Sequence, residues 1–197
     1  TENPYRLGRS VLPDRYELVL EPDLGAASFT GTVTIEATVI EPQDEIVMNA
    51  IELDISSATV DGDPVAYHLD AETERVVLHR SVEPGRVVVR FAFTGVLNDK
   101  LRGWYRSTYR TADGEERVIA TSQMQSTDCR RAFPCFDEPD FKAVFDVSLV
   151  VEPELARERE QHPRASVLQL GMALDRPRRH RRDRAGHRRT RAARPDR

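Results

Sequence analysis

The sequence predicts an all-β fold, a sandwich of antiparallel strands. Three observations carry this. Apolar residues alternate in steps of two through the first half of the chain, short apolar runs recur between clusters of turn-forming residues, and no long helical period separates them.

The first two strands are read from alternation. Tyr16, Leu18 and Leu20 alternate with Glu17 and Val19, and Phe29, Val33, Ile35, Ala37 and Val39 alternate with threonine or glutamate. Period-two patterning of this kind belongs to strands with one buried and one wet face. Further runs lie at Glu45 to Met48, Ile51 to Val60, Val65 to His68, Arg75 to His79 and Arg86 to Phe93, rich in the β-branched and aromatic residues that suit a pleated surface. Glu21-Pro22-Asp23, Asp61-Gly62-Asp63-Pro64 and Glu83-Pro84-Gly85 supply turns between them.

Past Thr94 the character changes. Gly103, Trp104, Tyr105 and Tyr109 form an aromatic ribbon, which Asp113-Gly114 turns back towards Arg117 to Thr121 as a hairpin. Ser126 to Phe133 predicts a single helical turn, capped by Ser126 or Thr127 and stopped by Pro134. Phe141 to Val151 alternates again and ends before Pro153, so the organised domain is expected over residues 1–156.

Composition limits the function classes. Hydrophobic residues make up 39% of the 197, enough for one ordinary core. No apolar run approaches the ~20 residues of a membrane span, and the first residues lack the basic start and apolar stretch of a secretory signal, so a cytoplasmic location with no membrane partner is expected. Cys129 and Cys135 are too few for a disulfide framework and have no second pair for a zinc knuckle; free, partly buried thiols are expected.

The net charge of −4 hides a division: residues 161–197 carry +9 and residues 1–160 carry −13. A basic tail on an acidic domain can draw nucleic acid. Lysine, however, occurs only at Lys100 and Lys142, as expected of a GC-rich gene, and such a gene read out of frame yields the Arg, Pro, Ala and His of Arg176 to Arg197. The preferred expectation is that 157–197 is an Arg-rich tail, disordered or out of frame, and that nucleic acid is not the partner.

No local catalytic motif is present: there is no H-E-x-x-H, no G-x-S-x-G, no phosphate loop and no G-x-G-x-x-G. His68, His79, His162, His180 and His187 do not pair at helical ligand spacing, and for His68 and His79, in hairpin strands, an exposed or hydrogen-bonded state is commoner than a metal ligand. Asp137 and Glu138 could do acid–base work, but adjacent side chains point apart, and Arg130 and Arg131 lie close enough to pair with them structurally. Gln123 and Gln125 are two apart, so on a strand both amides face one side, where they could hold an amine or a peptide backbone. Without further context, two exposed glutamines more often do neither.

The segment Ala120 to Phe145, ATSQMQSTDCRRAFPCFDEPDFKAVF, supplies that context, because it strongly resembles a block of aminopeptidase N and its relatives, typically TQ-x-E/Q followed by RRAFPCFDEP and K-A-x-F. Gly95 to Lys100 with Gly103 to Ser107 resembles the family's G-x-L-N-D and G-F/W-Y-R-S stretch, and Tyr16 to Leu20 with Phe29-Thr30-Gly31 resembles its first two strands. The resemblance covers about residues 5–156 and ceases in the tail.

The resemblance implies a saddle-like antiparallel β-sandwich that serves as the amino-terminal domain of a zinc aminopeptidase and packs on a thermolysin-like catalytic domain. The family's zinc motif and G-A-M-E-N motif come later in the chain than anything here, so this chain is expected to bind no zinc, to have no catalytic or metal-ligating residue and to be inactive alone. Gln125 matches the family's Glu or Gln that binds the substrate's free amino terminus, and Gln123 matches the neighbouring glutamine of the first substrate pocket. Met124 between them is expected to face the core, and a cis peptide is implied at Gln125-Ser126. Two alternatives stand behind this reading: a non-catalytic scaffold or interaction domain of the same family, and a stand-alone β-domain that uses its basic tail on nucleic acid.

Overall fold

A computed structural model describes residues 6–151. The boundary expected at 156 and the tail expected from 157 lie outside the described residues. Within them the fold is all-β, with eleven strands: β1 (Val11–Asp23), β2 (Ser28–Val39), β3 (Ile46–Asn49), β4 (Leu53–Val60), β5 (Asp63–Pro64), β6 (Tyr67–Asp70), β7 (Arg75–Leu78), β8 (Gly85–Val96), β9 (Gly103–Arg110), β10 (Glu116–Gln123) and β11 (Val144–Leu149). One 3₁₀ turn, Cys129–Arg131, stands between β10 and β11. No helix among these residues is long and apolar enough to cross a membrane.

The strands form a six-stranded sheet of order β11-β1-β2-β8-β4-β5, a three-stranded sheet β3-β7-β6 and the hairpin β9-β10. The alternation that predicts β1 and β2 is the alternation of burial: Tyr16, Leu18, Leu20, Val33, Ile35 and Ala37 are all buried. β2 and β8 pair over their whole length, with Val33 opposite Phe91 and Ile35 opposite Val89. Ile46, Met48, Val76 and Leu78 of the three-stranded sheet join these residues in one hydrophobic core. Burying each such aliphatic or aromatic side chain contributes about 1.5–3 kcal/mol.

β1 and β2 carry a bulge at Asp14, whose carboxylate accepts a hydrogen bond from Thr38 Oγ1 at 2.7 Å. A second irregularity falls between Ile55 and Ser57, where the hydroxyl of Ser56 donates to the Ala92 carbonyl at 3.1 Å. In both places a short polar side chain bonds across the interrupted ladder.

The expected antiparallel pairing holds except at one edge of the large sheet, where β11 pairs parallel to β1, Tyr16 opposite Phe145 and Leu18 opposite Val147. The cause lies just upstream. Glu138 accepts a hydrogen bond from the Leu7 N–H at 2.7 Å and pairs with Arg6, so the chain enters β11 at the end where β1 begins. The helical turn is also shorter than expected and is not capped by Ser126 or Thr127. Asp128 occupies the cap position and makes no capping bond, because its carboxylate is held by Arg131 Nε at 2.9 Å.

Candidate functional site at the end of the β9-β10 hairpin

β9 and β10 pair from Glu116 opposite Arg110 to Gln123 opposite Gly103. At the root of this hairpin Trp104 is buried against Phe29, with ring centroids 4.9 Å apart. Beyond Gln123 the chain leaves the ladder. Met124 turns into the core, and its carbonyl accepts the Asp128 N–H at 3.0 Å, closing a tight turn over 124–128. Gln123 and Gln125, on either side of the buried methionine, are both exposed. Gln123 Nε2 lies 3.5 Å from the Gln125 carbonyl oxygen. The Gln125-Ser126 peptide is cis, as the resemblance implied.

The turn is fastened from behind. Arg131 places Nε 2.9 Å from Asp128, Nη1 2.8 Å from Glu52 and Nη2 3.4 Å from Glu74. Arg130, almost fully buried, sets Nε 2.9 Å from Asp137 and Nη1 3.1 Å from the other Glu74 oxygen. A planar guanidinium can engage two carboxylates in fixed directions, which makes both arginines struts of the turn. Asn49 and Cys135 exchange both backbone hydrogen bonds, at 2.8 and 3.0 Å. The Phe136 N–H donates to the buried Tyr16 hydroxyl at 3.1 Å, tying this segment to the large sheet.

The expected pairing of Asp137 and Glu138 with the two arginines is half met. Asp137 takes Arg130, but Glu138 takes Arg6, and Arg131 turns to Asp128, Glu52 and Glu74. Burial pushes the Asp137 carboxyl above its ordinary value, against the pull of the Arg130 hydrogen bond. The partners that sequence reasoning missed are Glu74 and Asn49, both distant in the chain, although each stands next to a run it recognised.

Among the described residues, one group of three donors is close enough to meet on a metal: Cys129, Cys135 and Asp137, whose donor atoms lie within 4.8 Å of one another. It does not fit a hydrolytic zinc. Both thiols are buried, burial pushes the Cys135 thiol well up and keeps it protonated, and the carboxylate already holds Arg130. A catalytic zinc needs a position open to water, and this enclosed group offers none.

Comparison with known proteins adds the family context. Residues 12–157 match the family described as the Peptidase M1 N-terminal domain. The chain is 39% identical over 161 residues to aminopeptidase M1 of Arabidopsis thaliana, covering 76% of this chain and 18% of that protein. It is 39% identical over 164 residues to mitochondrial aminopeptidase 2 of Saccharomyces cerevisiae, covering 79% and 17%. It is also 39% identical over 158 residues to the puromycin-sensitive aminopeptidase of Caenorhabditis elegans, covering 76% and 17%. The matched segment is less than a fifth of the length of each of these relatives.

Proposed function

We propose, from the premise that this chain belongs to the Peptidase M1 N-terminal domain family, that it is the substrate-anchoring domain of an aminopeptidase acting on peptide amino termini. The observation that carries the reading is the ledge at the end of β10. Two glutamines project into solvent on either side of a buried methionine, and the buried Arg130 and half-buried Arg131 hold the turn that presents them.

Each glutamine amide offers donors and an acceptor, and its carbonyl oxygen can accept from a protonated amine. Gln125 would take the substrate's terminal ammonium, and Gln123 would line the first side-chain pocket. A charged amine fixed on the ledge confines cleavage to chain ends, because an internal peptide has no ammonium to place there. Hydrolysis itself is assigned to a separate, thermolysin-like zinc domain, and no step of it runs through the residues described here. The contribution of the residues described here is then orientation.

A chimera tests the assignment. Residues 12–157 replace the matching segment of Arabidopsis aminopeptidase M1, and release of an aminoacyl anilide is followed. Retained activity supports an interchangeable anchoring domain. A folded, inactive chimera contradicts it and favours the scaffold alternative.

A further inference from the structure

Away from the ledge, the three-stranded sheet brings together three side chains that the anchoring role does not use. His68 lies on β6, His79 follows β7, and Glu45 precedes β3. His68 Nδ1 and His79 Nε2 are 3.0 Å apart, with the rings stacked at 5.0 Å and inclined by 20°. His79 Nδ1 is 2.7 Å from Glu45 Oε1. An ionised carboxylate only accepts, so the neutral His79 ring carries its proton on Nδ1 and turns the lone pair of Nε2 towards His68.

We propose that His68 and His79 form a site for one divalent transition-metal ion, copper(II) foremost, bound between Nδ1 of His68 and Nε2 of His79. The spacing carries the argument. Two metal–nitrogen bonds of about 2.0–2.1 Å meeting at about 90° separate their nitrogens by roughly 2.9 Å, and a tetrahedral angle would need roughly 3.4 Å. The existing 3.0 Å therefore matches the nitrogen separation of a square-planar copper(II) or nickel(II) site, reached when the two rings turn their lone pairs from each other towards the ion. Copper(II) also binds nitrogen sites most tightly of the first-row divalent ions.

Glu45 supplies the outer carboxylate that fixes the tautomer and orientation of a ligating histidine. His68 accommodates the ion by carrying its own proton on Nε2. Asp44 lines the same open recess beside His79, and Asp70 lies close enough to His68 to act on it electrostatically, so the surroundings favour a cation. The side chains of His79 and Glu45 are 44% and 45% exposed, so an ion can enter without opening the fold and waters can complete its coordination. Spacing along either strand gives no hint of this site. The two histidines meet only because His68 pairs with Val77, two residues before His79.

The full chain is titrated with copper(II) by calorimetry, and electron paramagnetic resonance reports the number of nitrogen ligands. Wild type is expected to bind one equivalent with two nitrogens, nickel(II) and zinc more weakly. His68→Ala and His79→Ala should each weaken that event at least tenfold, and Glu45→Gln by about 10- to 100-fold. All three positions are exposed, and unchanged thermal melts establish that the variants fold. If wild type binds no copper, or if both alanine variants bind it as wild type does because the ion sits on the histidines after residue 160, the proposal is overturned. If the alanine variants lose copper while Glu45→Gln keeps full affinity, the outer role of Glu45 is overturned.

Discussion

Gly103 lies so close to Arg131 that a side chain there has no room: a Cβ would stand 2.8 Å from the Arg131 Cβ and 3.0 Å from the Asp128 carbonyl oxygen. Gly103 also has φ of +64°, a left-handed conformation, and pairs directly with Gln123 across the hairpin. The residue that seats the ledge must be small for both reasons. Gly103→Ala should cost about 2–4 kcal/mol, combining left-handed strain with overpacking. That corresponds to a melting point lower by roughly 5–15 °C in circular dichroism. A melting point unchanged within about 2 °C would show that the turn yields easily.

Arg130 should be the most costly charged residue to remove. Its side chain is 8% exposed and its partner Asp137 is 12% exposed, so Arg130→Ala strands a carboxylate inside the protein. The expected loss is about 3–5 kcal/mol at neutral pH, measured by urea unfolding. Burial already lifts the Asp137 carboxyl above its ordinary value, and losing the cation lifts it further. The deficit should therefore shrink as pH falls and that carboxyl takes up a proton. Equal deficits at neutral and acid pH would contradict a buried charge as the cause.

Alkaline pH should destabilise the domain from inside. Burial pushes the Tyr16 phenol and the Cys135 thiol well above their ordinary values of 10.0 and 9.0. Both are neutral when protonated, so the stability they confer is full below the unfolded values and is lost as pH rises towards the folded ones. Melting points should fall from about pH 9 upward, and Tyr16 should stay protonated above the ordinary phenol value. A melting point flat to about pH 11 would place these groups in contact with water.

Strands were legible wherever one face is buried and the other wet, because the alternation of Tyr16, Leu18 and Leu20 records their burial directly. Direction and partnership were not. The parallel course of β11 depends on Glu138 meeting Leu7, a contact between residues 131 apart that no local pattern encodes. Glu74 carries no signal in the sequence, yet it braces both arginines. The turn at Gln125 was legible only through family resemblance, since hydrophobic periodicity carries no record of backbone geometry at an exposed residue. The burial of Met124 between two exposed glutamines, by contrast, is the ordinary alternation of a strand carried one residue past its end.

The central claim is that Gln125 binds the amino terminus of the substrate, and kinetics of Gln125→Ala in the chimera with aminopeptidase M1 test it most directly. A hydrogen bond to a charged amine is worth about 1.5–3 kcal/mol, so kcat/KM should fall roughly 10- to 150-fold. The melting point should be unchanged, because the side chain stands in solvent and outside the core. A kcat/KM within about twofold of the parent chimera would contradict the claim and return Gln125 to the status of an ordinary exposed residue.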